Sequence, residues 1–358
     1  MASISIENLL REMVDKKASD LHLTVGAPPV WRVDGDIVFS TYPRLTPDSV
    51  KALVYSVLND EQKRKFENEH ELDLSFGIPG VSRFRANAFL QRGNVAMAIR
   101  TIPFDILGFE KLGLPNTVAH WSNLAKGLIL VTGPTGSGKS TTLATLINKI
   151  NIEKKKHIVT VEDPIEYTFQ HRKCIVNQRQ VGSDTKTFAT ALKYVLRQDP
   201  DVVMVGEMRD LETTEAALTI SETGHLTFGT LHTNSAVETV NRIIDIFPAN
   251  RQPQVRSQLA FVLRGVLTQS LIPRIKGGRV LSKEILVVTP AISALIREEK
   301  VHQIYNFMQA GKRYGMMTMN ESLLDLWMRK EITLDNAFAY SRNIEELEKM
   351  IADSRKNK

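Results

Sequence analysis

The sequence predicts an α/β protein whose main domain is a mostly parallel sheet with helices on both faces. Between residues 126 and 290, short apolar runs typical of buried strands alternate with amphipathic runs of helical period. A glycine-rich segment lies between one such strand and the helix that follows it. The first hundred residues carry a different α/β pattern without such a segment, which indicates a second domain.

The N-terminal domain is predicted over residues 1–102. One amphipathic helix is expected over 6–14, and another begins behind Thr46 and Pro47, a favourable helix start. A turn is predicted at Asp34-Gly35. Strand patterns occur at 20–24, 30–33, 72–76, 82–90 and 95–100.

Prolines and glycines are frequent over residues 103–125, which we interpret as a linker. In the main domain, strands are predicted at 128–131, 157–161, 202–205, 226–231 and 284–288. Its helices are predicted at 140–150, 187–197, 212–222 and 252–268. Residues 291–358 then form short amphipathic helical patterns.

The composition, with 42% hydrophobic and 24% charged residues, is that of an ordinary globular protein. No run approaches the ~18 apolar residues of a membrane span, and no basic segment followed by an apolar core opens the chain, so we expect a cytoplasmic protein. The single cysteine, Cys174, excludes an internal disulfide and is interpreted as structural. The net charge of +6 is dispersed, apart from basic clusters at 154–156 and 355–358. These clusters indicate solvated surface, with attraction to anionic lipid or triphosphate as the alternative.

The glycine-rich segment fits the phosphate-binding pattern G-x-x-x-x-G-K-[ST] at every position. In such a loop, backbone N–H groups surround the phosphates at the positive end of a helix. Lys139 is expected to reach the β- and γ-phosphates, and Ser140 to hold Mg²⁺. The sequence therefore predicts binding of a nucleoside triphosphate. The predicted contact residues are Gly133, Pro134, Thr135, Gly136, Ser137, Gly138, Lys139, Ser140 and Thr141.

Carboxylates follow two predicted strands at the sheet edge where the phosphate loop is expected. Glu207 comes just after the strand at 202–205 and is the preferred water-orienting residue or acid near the metal. Glu166 is the second candidate. Glu162 and Asp163 also follow a strand, but helix or turn capping explains them equally well.

Two histidines, His225 and His232, bracket the strand predicted at 226–231. Beside a triphosphate they become candidate sensors of the γ-phosphate, whereas an isolated histidine is more commonly a packed or surface group. Metal binding by this pair is not expected, because no third ligand has suitable spacing.

Taken together, four motifs in order resemble the secretion-type ATPases, and among these the type IV pilus retraction ATPases (PilT family). The motifs lie at 133–140, 160–166, 205–210 and 223–235. The resemblance implies a Walker A loop, an Asp box, a Walker B segment and a His box. Segments 18–23 and 285–292 also match the retraction branch, so the resemblance covers nearly the whole chain.

This resemblance implies a PAS-like N-terminal domain over 1–102 and a RecA-like ATPase domain over 126–290, followed by C-terminal helices. It implies ATP and Mg²⁺ as ligands and a homohexamer at the cytoplasmic base of the pilus machine in the inner membrane. The implied partner is a PilC-type platform protein, which connects the ATPase to the membrane, and no direct binding of nucleic acid is expected. Arg85 and Arg100 are implied to approach the nucleotide. We expect them to reach the nucleotide of their own chain, with supply from a neighbouring subunit, or a purely surface role, as alternatives.

One segment departs from the family pattern. The box associated with retraction usually reads A-I-R-N-L-I-R-E, whereas residues 291–298 carry Ser293 and Ala294 in place of the arginine and asparagine. ATP hydrolysis is expected to survive this change, and an accessory paralogue is the alternative to a retraction motor.

The expected function is therefore an ATPase motor for type IV pilus disassembly and twitching motility. Further alternatives are an extension-type or secretion ATPase, a RecA-like nucleic-acid translocase, and a scaffold that binds nucleotide but barely hydrolyses it. The extension branch often carries a four-cysteine metal module, for which this chain has too few cysteines.

Overall fold

The computed structural model describes residues 4–33, 35–102 and 106–356. Asp34 of the predicted turn, the first linker residues at 103–105 and the last two residues of the basic C-terminal cluster lie outside the described residues. The chain forms two compact units. The first consists of Met1–Asp105 with Glu166–Thr168, and the second of Ile106–Ile165 with Phe169–Lys358.

The first unit contains a six-stranded antiparallel sheet in the order β3-β2-β1-β6-β5-β4. Its strands are β1 Asp20–Leu23, β2 Val30–Val33, β3 Asp36–Phe39, β4 Glu71–Ile78, β5 Ser82–Gln91 and β6 Asn94–Ile102. Its helices are α1 Ile6–Asp15, α2 Pro47–Tyr55 and α3 Asp60–Glu69. As the sequence predicts, Thr46 caps α2, with Pro47 as its first residue.

Strand β3 and helix α3 were not predicted from the sequence. Every residue of β3 is exposed, and α3 buries only Phe66, so neither carries the hydrophobic periodicity that identifies a half-buried element. In contrast, β5 alternates between buried Phe84, Ala86 and Ala88 and more exposed residues, which is the pattern of a strand with one face on the core. The PAS-like assignment of this unit stays a prediction.

The second unit contains a seven-stranded sheet in the order β13-β12-β7-β11-β10-β8-β9. Its strands are β7 Gly127–Thr132, β8 His157–Glu162, β9 Ile175–Gln180, β10 Val202–Val205, β11 Leu226–Leu231, β12 Leu263–Pro273 and β13 Arg279–Val287. All neighbouring strands run parallel except β12 and β13. The predicted α/β class with a mostly parallel sheet is therefore confirmed.

Helices surround this sheet and continue beyond it. They are α4 Phe109–Leu112, α5 Asn116–His120, α6 Lys139–Glu153, α7 Phe188–Val195, α8 Leu211–Glu222, α9 Ala236–Asp245, α10 Gln252–Val262, α11 Pro290–Arg297, α12 Ile304–Ala310, α13 Met319–Met328, α14 Leu334–Tyr340 and α15 Ile344–Lys356. One core cluster joins the sheet to α7, α8, α9 and α10, and another joins it to α6. The sheet is thus buried on both sides, as parallel sheets require.

The helix predicted over 252–268 is wrong from Leu263 onward, because α10 ends at Val262 and the chain continues directly as β12. A strand buried on both faces and a buried helix have similar apolar content, so the pattern did not separate them. In the structure this segment pairs with β7 in the sheet. Gly265 lies so close to the ring of Trp121 that a side chain there would overlap it. Strand β9 was also not predicted, because its sequence is mostly polar.

The part of the predicted linker that the structure describes belongs to the second unit. Leu114, Val118 and Trp121 are buried in the same core cluster as α6. The glycines at 108 and 113 flank the short helix α4, so here they begin and end a helix. No helix in the described part of the chain combines the length and apolar character needed to cross a membrane.

Candidate active site

The phosphate loop connects β7 to α6, as the sequence predicts. Gly133, Gly136 and Gly138 all have positive φ angles, of 134°, 78° and 90°. L side chains rarely adopt these angles, so glycine lets the backbone fold around a small anion. Gly138 directly precedes α6, whose first residue is Lys139, so the loop ends at the positive end of a 15-residue helix.

Strand β12 supports this loop from below. The carbonyl oxygen of Gln269 lies so close to Gly133 that any side chain there would overlap it. The Gln269 amide group donates to Thr142 of α6 at 2.9 Å, and the hydroxyls of Thr268 and Thr132 are also 2.9 Å apart. Strand β12, whose first residues were predicted as helix, therefore contacts the start of the phosphate loop and the helix that follows the loop.

The side chains of the loop are arranged for anion binding. Lys139 donates to the carbonyl oxygens of Gly133 and Pro134, at 2.7 and 3.1 Å, which places its ammonium group over the loop. Ser137 is buried, and its hydroxyl has no hydrogen-bond partner within the described residues. A buried hydroxyl without a partner is costly unless a ligand satisfies it, so this group fits a phosphate oxygen.

The acidic and basic residues predicted for catalysis follow the C-terminal ends of neighbouring strands. The register pairs Leu231 with Thr132, so His232 and Gly133 each follow the paired residues of adjacent strands. Glu207 lies two residues beyond β10. Its Oε1 atom is 3.1 Å from His232 Nε2 and 2.5 Å from Arg209 Nε. Glu207 and His232 are therefore brought together at the edge of the sheet that carries the phosphate loop.

The electrostatics of Glu207 keep it ionised. Its burial raises the pKa, but the hydrogen bond from Arg209 and the neighbouring His232 outweigh this, so the pKa lies below its usual value. In return, the Glu207 carboxylate raises the pKa of Arg209. A negatively charged carboxylate can accept a hydrogen bond from a water molecule and so orient it.

The other predicted carboxylates occupy distinct positions. Glu162, the last residue of β8, is buried and accepts hydrogen bonds from Thr160 at 2.6 Å and Gln178 at 3.1 Å. Asp163 is exposed and close enough to Arg209 to raise its pKa further. Glu166 is exposed in a loop, and the segment Glu166–Thr168 groups with the first unit.

The structure does not bring His225 to this edge. His225 precedes β11 and His232 follows it, so a six-residue strand separates them, which is about 20 Å at ~3.3 Å per residue. His225 Nδ1 contacts the carbonyl oxygen of Ile220 at 3.0 Å and the Thr223 hydroxyl at 3.1 Å, at the end of α8. Its geometry is that of a packed histidine that closes a helix, which corrects its assignment as a phosphate sensor.

Arg85 and Arg100 lie side by side on the sheet of the first unit. The two residues are directly opposite each other in the register of β5 and β6, and both are exposed. Arg100 Nε donates to Asp20 Oδ1 at 2.8 Å. Two like charges in opposing positions repel, so this pair is suited to an anionic ligand, with Asp20 offsetting part of the repulsion.

Comparison with known proteins gives one consistent result. The family described as Type II/IV secretion system protein matches residues 2–329. A Pseudomonas aeruginosa protein described as the type IV pilus retractation ATPase PilT is 49% identical over 334 residues, covering 93% of this chain and 97% of that protein. The chain belongs to the PilT family of secretion ATPases. A Neisseria gonorrhoeae protein described as a twitching motility protein is 44% identical over 344 residues, covering 96% of this chain and 92% of that one.

The fold agrees with this family. A solved structure of the pilus retraction motor PilT with bound ADP has a TM-score of 0.91 and 53% identity, covering 97% of this chain and 100% of that one. The protein is therefore an ATPase of this family, as the motif resemblance implies. The resemblance found from the motifs is confirmed over nearly the entire chain.

Three residues of this PilT-family site escaped the sequence analysis: Thr268, Gln269 and Arg209. Thr268 was the last residue of the predicted helix 252–268 and Gln269 followed it without an assignment, so their position in β12 beneath the phosphate loop was not predicted. Arg209 could have been noticed, because it lies two residues from Glu207 in the Walker B segment. Its ion pair with Glu207 depends on loop geometry that no sequence period reveals.

Proposed function

We propose that this chain is a hexameric motor that hydrolyses ATP to drive type IV pilus retraction. The observation that carries the proposal is the ionised Glu207, held by His232 and Arg209 at the sheet edge of the phosphate loop. The similarity to PilT, which is described as a retraction ATPase, supports the direction of the work. The proposed location is the cytoplasmic base of the pilus in the inner membrane, where a PilC-type platform protein is the partner.

In the proposed mechanism, the side chains have different roles. The loop amides from Gly133 to Ser140 bind the phosphates, and Lys139 neutralises negative charge on them. Glu207 orients the attacking water and accepts its proton, while His232 fixes the carboxylate and responds to the γ-phosphate. Arg85 and Arg100 are proposed to add positive charge for the transition state, since phosphoryl transfer depends mainly on electrostatic stabilisation.

The chain also offers residues that fit Mg²⁺. Ser140 lies in the first turn of α6, directly after Lys139. Glu162 is the last residue of β8, and Glu207 lies two residues beyond β10. Hydroxyl and carboxylate oxygens are the ligands that Mg²⁺ prefers. When bound, the cation would neutralise charge on the phosphates, and Ser140 is the proposed protein ligand.

Imaging of pilus dynamics in a strain that lacks this chain tests the proposal. Loss of retraction with pili retained is expected, and the wild-type chain should restore retraction whereas Glu207→Gln should not. Loss of pili would indicate an extension-type ATPase instead. Unchanged pili, together with ATP hydrolysis that DNA stimulates and that falls steeply with salt, would indicate a nucleic-acid translocase.

A second candidate, an accessory pilus ATPase, is favoured by one observation. Ser293 and Ala294 lie on the half-buried side of α11, where the family box usually carries an arginine and an asparagine. The double substitution Ser293→Arg with Ala294→Asn restores that box. We expect the ATPase rate to stay within about twofold, since under ~0.5 kcal/mol of barrier is involved. A gain in retraction in cells would support the accessory role of the natural chain, and a large change in ATPase rate would instead place α11 in the catalytic cycle.

A further inference from the structure

One buried carboxylate in the second unit has no task in the proposed mechanism. Glu284 lies in β13 and is 2% exposed. Its Oε1 atom accepts a hydrogen bond from the backbone amide of Ala236 at 2.7 Å. Burial raises the pKa of this carboxyl, and the backbone groups of Ala236 and Met319 act in the opposite direction. Ala236 is the first residue of α9, and Met319 is the first residue of α13. A single carboxyl group therefore lies at the N-terminal ends of two helices.

The first of these helices is continuous with the catalytic loop. Only three residues separate His232 from α9, and two contacts fasten them to that helix. The amide of Asn234 donates to Glu238 at 2.9 Å, and the hydroxyls of Thr233 and Thr239 are 2.7 Å apart. A displacement of His232 is consequently transmitted to the amide that Glu284 binds.

The second helix is fastened to the C-terminal end of the chain. Asn320, in the first turn of α13, donates to Glu346 of α15 at 2.5 Å. Tyr305 of α12 donates to the same carboxylate at 2.7 Å. The Glu346 carboxylate therefore joins the start of α13 to α12 and α15.

Glu284 is also aligned with the phosphate loop across the sheet. It lies opposite Thr268 in β12, and Thr268 lies opposite Thr132, the last residue of β7 before the loop. Residues opposite one another in a sheet share a face, so the three polar side chains form a buried row. The hydrogen bond between the two threonines continues this row towards the nucleotide.

We propose that Glu284 is a positioning residue that couples the His232 loop to the C-terminal helices, so that the nucleotide state of the site is transmitted to α13 and α15. The two helix N-termini partly offset the cost of burying this carboxyl group, and removal of one of its oxygens weakens the support of the buried Ala236 amide. The proposal rests on the proposed function only in that the His232 loop responds to nucleotide.

Hydrogen–deuterium exchange of the purified full chain tests this coupling. With ADP and then with ATPγS, the amides at the starts of α9 and α13 are expected to change protection together in the wild-type protein. Glu284→Gln keeps the size but replaces one acceptor oxygen with an amide NH₂ group. Both helix starts should then exchange about tenfold faster, and the nucleotide-dependent difference at α13 should disappear.

The chain offers one matched control outside the path from His232. Glu321 accepts from the backbone of Thr318 at the start of α13 and also pairs with Lys312. Glu321→Gln should raise exchange at the start of α13 and leave the nucleotide-dependent difference there in place. A merely structural role of Glu284 would give the same result as this control.

Two results would overturn the inference. One is a wild-type protein in which α13 shows no nucleotide-dependent difference, a measurement that does not require the variant to fold. The other is a difference that persists in Glu284→Gln. Neither result affects the assignment to pilus retraction, which is measured in cells, and a failure of retraction leaves the exchange result standing.

Discussion

The two edges of the parallel sheet in the second unit carry the same kinds of residue and use them differently. At the edge of the strand N-termini, Asp201 accepts from the Lys156 ammonium at 2.7 Å and from the His157 amide at 2.9 Å. His157 also contacts the carbonyl oxygen of Asp199 at 2.9 Å. At the opposite edge, Glu207, His232 and Arg209 contact one another. Lysines, histidines and carboxylates therefore occur at both edges.

The difference lies in which partners are available. At the N-terminal edge, charged side chains satisfy backbone groups where strands and helices begin or end, so their interactions are complete within the fold. At the C-terminal edge the phosphate loop supplies amides with positive φ glycines, and the side chains face one another across neighbouring strands. Strand direction, and not residue type, separates structural groups from the proposed catalytic groups in this sheet.

The largest expected effect is at the phosphate loop. Lys139→Ala removes the main cation on the transferred phosphate and should lower kcat by about 10³-fold without unfolding the protein. Lys156→Ala, at the opposite edge, is the matched control and should retain the wild-type rate. Steady-state ATPase assays on both variants measure this contrast. A Lys139→Ala protein with near-normal turnover would refute the assignment of the loop.

The next effect is at Glu207. Glu207→Gln preserves shape but removes the charge, so nucleotide should still bind while kcat falls by about 10²-fold or more. Asp201→Asn should keep its kcat and lose about 1 kcal/mol or less of stability, since only hydrogen bonds to Lys156 and His157 weaken. Binding titrations, ATPase rates and thermal unfolding separate the two outcomes. If Glu166→Gln were inactive and Glu207→Gln normal, Glu166 would be the water-orienting residue.

A smaller contrast is expected between the histidines. His232→Ala removes the side chain that fixes Glu207 and should lower kcat by at least about tenfold. His225→Ala should leave kcat within about twofold and lower stability by about 1 kcal/mol, because it loses its contact with the carbonyl oxygen of Ile220. ATPase assays and unfolding curves test both. Equal losses of kcat in the two variants would contradict the placement of His225 outside the site.

The smallest effect concerns pH. Arg209 holds the pKa of Glu207 below its usual value, so Arg209→Ala should let burial raise that pKa. Glu207 must be ionised to act as a base, and the acid limb of the kcat/KM profile should therefore move to higher pH. At neutral pH the loss should be at most about fivefold, because the Arg209 side chain is largely exposed and an ion pair screened in this way contributes ~1 kcal/mol or less. An acid limb that stays in place in the variant would show that Glu207 is not the group titrating there.

The lowered pKa of Glu207 also makes the free energy of unfolding depend on pH. A carboxylate whose folded-state pKa is depressed stabilises the protein above its unfolded pKa, and this contribution is lost as the pH falls through the folded value. Arg209→Ala should consequently reduce the difference in stability between neutral and acidic solution. Thermal unfolding of both proteins across this range measures the change.

Strands β10 and β11 have the bounds that the sequence predicts, because short, continuous apolar runs between turn residues leave little alternative. The prediction failed at β12, where apolar spacing also fits a helix. The residues of the candidate site divide in the same way into those that local sequence indicates and those that it does not. The phosphate loop and Glu207 were found from local motifs, whereas the direction of β11 beside β7 decides which of the two histidines lies at the edge of the phosphate loop.

The sequence by itself determined the phosphate loop, the order of the four motifs and the family, because each is written in residues close together along the chain. Only the tertiary structure decided what supports the loop and what connects it to the C-terminal helices. Thr132 and Thr268 are 136 positions apart, and Ala236 and Glu284 are 48 apart. Such pairs meet because the order of the strands places them on one face, and no local period encodes that order.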